Sequence, residues 1–197
     1  MTRPVPEMSL AARCGFDDLS RQSLVYLCVL GVGVEALVTW RFGLTPALPA
    51  YLYLGAIGTV LAIVDATTRR LPNALVVPSY PVGLVLLGIA TAAHGHWWPL
   101  IRACVEACSL GGLFLLAALA FPGQLGAGDV KLIGLLGLFL GWLNPLAGFV
   151  GLFVAFGLAS VGVGLRHLTP RTPSPSDTMP LGPYLLLGSL AALVLFA

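Results

Sequence analysis

Charge is what this sequence has least of. Of its 197 residues only 18 are charged, 10 basic and 8 acidic, where an ordinary soluble domain carries about a quarter. So little charge excludes a soluble globule and a disordered tail. A net charge of +2 also excludes a nucleic-acid binder of the basic kind. Cysteine pairs are missing as well. Cys14, Cys28, Cys104 and Cys108 form no C-x-x-C motif, so neither a zinc knuckle nor a redox pair is expected. Cys28, Cys104 and Cys108 instead read as small apolar residues in hydrophobic runs. His94 and His96 share a short loop with no carboxylate beside them, and no metal or other cofactor is expected. What remains is apolar: 58% hydrophobic residues and 24 glycines, with a mean hydropathy of +0.96. The chain reads as an integral membrane protein.

A membrane-spanning helix needs about 20 mostly apolar residues. Such runs cover Ser23 to Trp40, Ala50 to Val64, Ala74 to Ala93, Ala103 to Phe121 and Leu181 to Ala197. The stretch from Val130 to Leu165 is too long for one span. Asn144-Pro145 divides it, because proline lacks an N–H and restrains the residue before it. The pattern predicts an all-α, polytopic membrane bundle of about seven transmembrane helices, within a range of six to eight. With the N-terminus in the cytoplasm, Arg3, Arg13, Arg21, Arg69, Arg70, Lys131, Arg166 and Arg171 fall inside, and Arg41 and Arg102 outside, as the positive-inside rule prefers. His94-Gly95-His96-Trp97-Trp98 then forms an outer loop with an interfacial aromatic anchor. Residues 1–22 carry both signs of charge and no signal-peptide core, and are expected to be a cytoplasmic tail. Residues 23–197 are expected to form one membrane-embedded domain in contact with lipid. The tail and the loop from Arg166 to Pro180 both fall short of the ~40 residues below which domains seldom fold alone. The chemistry is therefore expected in or at the bilayer.

Ionisable groups at membrane depth are costly and point to function. Four acidic residues qualify: Glu35, Asp65, Glu106 and Asp129. Glu35 and Glu106 fall near the outer face, and Arg102 lies one turn before Glu106, a spacing that puts both on one helix face; a snorkelling or ion-paired structural role is expected for the two glutamates. Asp65 ends the second helix and Asp129 begins the fifth, so both reach the cytoplasmic edge. Two carboxylates at one depth are the minimum apparatus for general acid–base hydrolysis without a metal, one activating water and the other polarising a carbonyl. Their settings differ, as that division of labour requires. Asp129 follows Gly126-Ala127-Gly128 at the positive end of a helix with Lys131 nearby, whereas Asp65 stands at a helix's negative end. Taken singly, each aspartate is equally readable as a helix cap or a loop residue.

The motifs themselves carry a resemblance. Gly126-Ala127-Gly128-Asp129-Val130-Lys131-Leu132 resembles the GxGDxKL signature of the type IV prepilin peptidases, which are GxGD membrane aspartic peptidases. Asp65, followed after six residues by Pro72-Asn73, is similar to that family's first aspartate. Met179-Pro180-Leu181-Gly182-Pro183-Tyr184-Leu185 resembles its P-x-G-P-x-L segment. The resemblance implies an endopeptidase that removes the basic leader of prepilin or pilin-like precursors at the cytoplasmic face of the plasma membrane. It places Asp65 and Asp129 as the catalytic pair, with Gly126, Gly128, Lys131, Pro72, Asn73, Pro180, Gly182 and Pro183 shaping the site or binding substrate. The glycines would let a substrate backbone approach the carboxylate. Pro72, Pro78 and Pro81 would restrain the third helix, and Lys131 would either tune the dyad or reach the headgroups. The paired cysteine motifs that accompany N-methylation in longer family members are missing, so methylation does not carry over. Two other readings are a non-catalytic subunit of a pilus or secretion apparatus and a small proton-coupled transporter. The latter calls for carboxylates near the midplane.

Overall fold

A computed structural model describes residues 21–69, 71–122, 125–168 and 180–197, with backbone alone at 21–24 and 166–168. The expectations for the tail 1–22, for the side chains of Arg3, Arg13, Cys14, Arg21, Arg70, Arg166, Arg171 and Met179, and for most of the loop before Pro180 lie outside the described residues. Seven helices and no strand occur among those described: α1 (Arg21–Phe42), α2 (Leu48–Thr68), α3 (Asn73–His94), α4 (Trp98–Ala120), α5 (Ala127–Leu143), α6 (Ala147–Leu168) and α7 (Gly182–Phe196). Each predicted apolar run lies within one helix or overruns it by a residue. The long run splits at Asn144, whose Oδ1 accepts the Leu146 N–H at 2.9 Å, the side-chain turn that asparagine favours.

Local chemistry sets the ends. Proline falls within the first two positions of α2, α4 and α7, where its missing N–H has no helical partner to lose. Gly95 stops α3 at φ 78°, its N–H returning to the carbonyls of Thr91 and Ala92, the left-handed stop open to glycine. Arg69 closes α2 at φ 53°, donating its N–H to the Asp65 carbonyl at 2.8 Å.

Five helices, α1 to α4 and α6, are long and apolar enough to cross a membrane, and the protein is a multi-pass membrane protein. The two others differ from the expectation of full spans. α5 has 17 residues and α7 has 15, about 25 and 22 Å at 1.5 Å per residue, against a hydrocarbon core of about 30 Å. Lipid does not dictate the length of α5, because α5 is the centre of the bundle: Val130 and every residue from Leu132 to Gly141 are buried. Its closest neighbour is α4. There Gly134 lies against Gly111, Gly137 against the Glu106 backbone and Ala107, and Gly141 against Ala103. Small residues let helix backbones meet within a membrane, where dispersion replaces the hydrophobic drive.

Polar groups on neighbouring helices reach the backbone of α5. Tyr51 Oη of α2 donates to the Phe139 carbonyl at 2.8 Å, Tyr80 Oη of α3 to the Lys131 carbonyl at 2.7 Å, and Arg102 of α4 to the carbonyls of Gly141 and Trp142 at 2.6 and 2.5 Å. Trp142 returns its indole N–H to Thr91 Oγ1 of α3 at 2.8 Å. Of the snorkelling or ion-paired role expected for Glu106, the buried carboxyl shows no snorkelling, and Arg102 makes its hydrogen bonds elsewhere while its charge still acts on Glu106. The guanidinium serves the C-terminal carbonyls of α5, and Glu106 Oε1 is buried without a hydrogen-bond partner. Glu35 Oε1 is likewise buried and unpartnered, against Gly55 of α2, while Arg41 Nε binds the Val194 carbonyl of α7 at 3.0 Å. In both cases the nearby arginine goes to unsatisfied helix-end carbonyls. His94 Nδ1 meets its own helix at the Ala90 carbonyl.

α1, α2 and α7 enclose an apolar groove. It is walled by Leu30, Val34 and Val38, by Gly55, Gly58 and Ala62, and by Leu186, Leu190 and Leu193. The hydroxyls at its wall bond their own helices, Thr59 to the Gly55 carbonyl and Ser189 to the Leu186 carbonyl, so the surface offered is greasy.

Candidate active site

Four helix ends meet where the two aspartates stand: the C-terminus of α2 and the N-termini of α3, α5 and α7. Asp65, only 5% exposed, lies in the last turn of α2. Its Oδ2 accepts the Gly182 N–H at 3.0 Å, the amide of the first residue of α7. A carboxylate that hydrophobicity alone would leave at the negative end of α2 therefore also faces the positive end of α7, where free N–H groups stabilise an anion. This approach depends on glycine. A Cβ at position 182 would stand 2.6 Å from Asp65 Oδ2 and 3.0 Å from its Cγ.

Asp129 is half-buried in the first turn of α5. Gly126 is the residue before the helix, in extended geometry. The carboxylate folds back toward Gly126, whose backbone amide acts on it electrostatically, the position that the acidic residue of a capping box takes. Gly126 has little spare room: a Cβ there would stand 3.0 Å from Asp129 Oδ2. The carboxyls of Asp65 and Asp129 act on each other electrostatically, so the residues 64 positions apart in sequence share one site. Gly126 and Ala127, on the Asp129 side, are exposed, whereas Asp65 is buried.

The wall opposite α7 comes from the link between α2 and α3. Leu71 packs on Gly128, where a Cβ would meet the leucine Cβ at 2.8 Å. Pro72, in extended geometry, precedes the first residue of α3, Asn73. Asn73 Oδ1 accepts a hydrogen bond from Lys131 Nζ at 2.9 Å, so the lysine ties α5 to α3 beside the dyad. Pro78 and Pro81 lie inside a continuous α3 and remove the N–H groups that would reach the carbonyls of Ala74 and Val77. Pro183 stands at the second position of α7 and Pro180 in the segment before it, where both restrain the approach to Gly182.

The residues named from the sequence are thus brought together, with Asp65, Gly182, Asp129 and Gly126 at the centre and Lys131, Asn73, Pro72 and Gly128 on one side. Leu71 and Tyr80 escaped the sequence reading. Tyr80 lies seven residues after Asn73, two turns along the same face, a spacing that marks it in retrospect. Leu71 carries no such signal.

The fold and site define a helical membrane protein with an aspartate pair. The family model of the type IV leader peptidase family matches residues 51–165, more than half of the chain and including both aspartates. The chain belongs to the type IV leader peptidase family. It is similar to the prepilin leader peptidase/N-methyltransferase of Pseudomonas putida, with 31% identity over 82% of this chain and 54% of that protein. The protein of the same name from Stutzerimonas stutzeri is 26% identical over 95% of this chain and 64% of its own length. The one from Pseudomonas aeruginosa is 31% identical over 80% and 53%. The chain therefore spans little more than half to about two thirds of the curated relatives that it matches. No solved structure matches it at a significant level.

Proposed function

We propose that this protein is an aspartic endopeptidase that removes the leader from prepilin or pilin-like precursors, with Asp65 and Asp129 as its catalytic pair. The observation that carries the reading is the convergence of the helix ends that bear the two aspartates, α2 joined to α7 by the Asp65–Gly182 bond and α5 to α3 by the Lys131–Asn73 bond, within a chain of the type IV leader peptidase family. One carboxylate takes a proton from water as the oxygen attacks the scissile carbonyl. The other, protonated, donates to the carbonyl oxygen, and the proton then passes to the leaving nitrogen. A close carboxyl pair shares one proton readily, because like charges at short range oppose double ionisation.

The site faces the cytoplasm of the plasma membrane in this reading, with the N-terminus on the same side. Support comes from the excess of basic residues that such a threading puts inside. The precursor's basic leader stays in the cytoplasm while its apolar helix enters the bilayer. The groove between α1, α2 and α7 is a seat for that helix: it begins at Ala62, one turn before Asp65, and at Leu186, one turn after Gly182. A helix lying there brings the residues preceding it to the dyad. Residues 23–197 act as one peptidase domain in this reading.

Co-expression with a defined prepilin tests this. Wild type is expected to shorten the precursor by its leader, Asp65→Ala and Asp129→Ala to lose at least ~10³-fold in rate, and a chelator to leave the rate unchanged. Persistent cleavage in either variant would remove that aspartate from the mechanism. A membrane subunit without activity would leave the precursor intact in every case.

A further inference from the structure

The helix that carries Asp129 is gripped at its other end by two charged side chains that the candidate site does not use. Arg102 and Glu106 stand one turn apart on α4. The guanidinium donates from Nε to the Gly141 carbonyl and from Nη2 to the Trp142 carbonyl, both in the last turn of α5, where carbonyls lack helical donors and the dipole favours a cation. Glu106 is 4% exposed and fills the space left by two glycines. A Cβ on Gly141 would stand 2.7 Å from its Oε2, and one on Gly148 would overlap its Oε1. Gly148 lies in the first turn of α6, and its backbone amide acts on the carboxyl, although Oε1 keeps no hydrogen-bond partner. The cation thus faces the negative end of α5 and the carboxyl the positive end of α6. An apolar side chain would fill the same gap at lower cost for folding alone.

We propose that Arg102 and Glu106 are positioning residues: they fix α5 along its axis and so hold Asp129 against Asp65. The inference rests on the reading of these aspartates as the catalytic pair. On the α4 side such a stop has work to do, because α5 meets α4 along a smooth seam of Gly134, Gly137 and Gly141, while Tyr51, Tyr80 and Asn73 tie α5 to α2 and α3. Gly141 is 12 residues from Asp129, about 18 Å of helix. That length is almost wholly buried, so an axial shift at one end is carried to the other. Misplacing a catalytic group by about 1 Å is enough to slow a reaction ~10²-fold.

Purified protein acting on a defined precursor, with kcat, KM and thermal midpoint measured for Arg102→Gln, Arg102→Lys and Glu106→Gln, tests the idea. Arg102→Gln is expected to lower kcat at least ~10-fold with KM within about twofold. Arg102→Lys, which keeps a donor at the α5 carbonyls, is expected to recover most of that loss. Glu106→Gln keeps the shape and is expected to lower kcat several-fold in a folded protein, so it carries the test if Arg102→Gln does not fold. Wild-type kcat in folded Glu106→Gln or Arg102→Gln overturns the proposal, as does a raised KM at constant kcat. If wild type itself leaves the precursor intact, the peptidase reading fails instead.

Discussion

Replacing Gly182 by alanine is the smallest change that should disable the dyad. The new Cβ would stand 2.6 Å from Asp65 Oδ2 and 3.2 Å from Asp65 Cβ. Ordinary contact begins near 3.4 Å, so the carboxyl and the start of α7 must separate by about 0.8 Å. Asp65 is 5% exposed and cannot swing into solvent, and the 3.0 Å bond from the Gly182 amide is stretched or lost. A hydrogen bond to a charged group is worth about 1.5–3 kcal/mol, a measurable fall in stability that leaves a membrane bundle of this size folded. The kinetic effect is larger, on the order of 100-fold in kcat for a displacement near 1 Å. The assay is single-turnover leader cleavage by purified protein alongside a thermal melt, with Gly157→Ala as control because nothing lies within 4 Å of a Cβ there. Gly182→Ala cleaving within threefold of wild type would refute the argument that this close approach sets the catalytic geometry.

Two further outcomes follow from the same geometry. Lys131→Met and Asn73→Ala each remove the 2.9 Å bond between α5 and α3. Each should slow cleavage about tenfold, and the double variant should be little worse than either single one, since both delete one interaction; fully additive losses in the rate would separate the two roles. Ala62→Phe puts an aromatic ring into the groove one turn before Asp65. It should raise KM several-fold for a precursor with its apolar helix while sparing a short leader peptide without one, and equal effects on both substrates would remove the groove from substrate binding.

Much of the fold was legible in the sequence because hydropathy is a local property. Apolar runs separated by Pro, Gly and Asn mark the helices within a few residues, and Asn144-Pro145 splits the long run where α5 ends and α6 begins. The two aspartates stood out because so few charges enter the membrane region. Their common depth followed from counting helices, since one closes a downward helix and the other opens an upward one. The partners of Arg102 were not legible for an equally local reason. A spacing of four places Arg102 and Glu106 on one face of α4 but does not reveal the helix ends packed against that face, whose carbonyls take the hydrogen bonds of the guanidinium.

The sequence by itself determined the order of the described helices, the membrane class and the pair of acidic residues near helix ends. Only the tertiary structure decided what each residue faces. It made the short α5 the buried centre of the bundle, brought the Gly182 amide to Asp65 from 117 residues away, and joined Lys131 to Asn73 across 58. The physical reason is that burial follows from composition along a single helix. Partners, by contrast, are chosen by how several helices pack at once, and at this site glycines admit backbones and carboxylates to distances that no other residue allows.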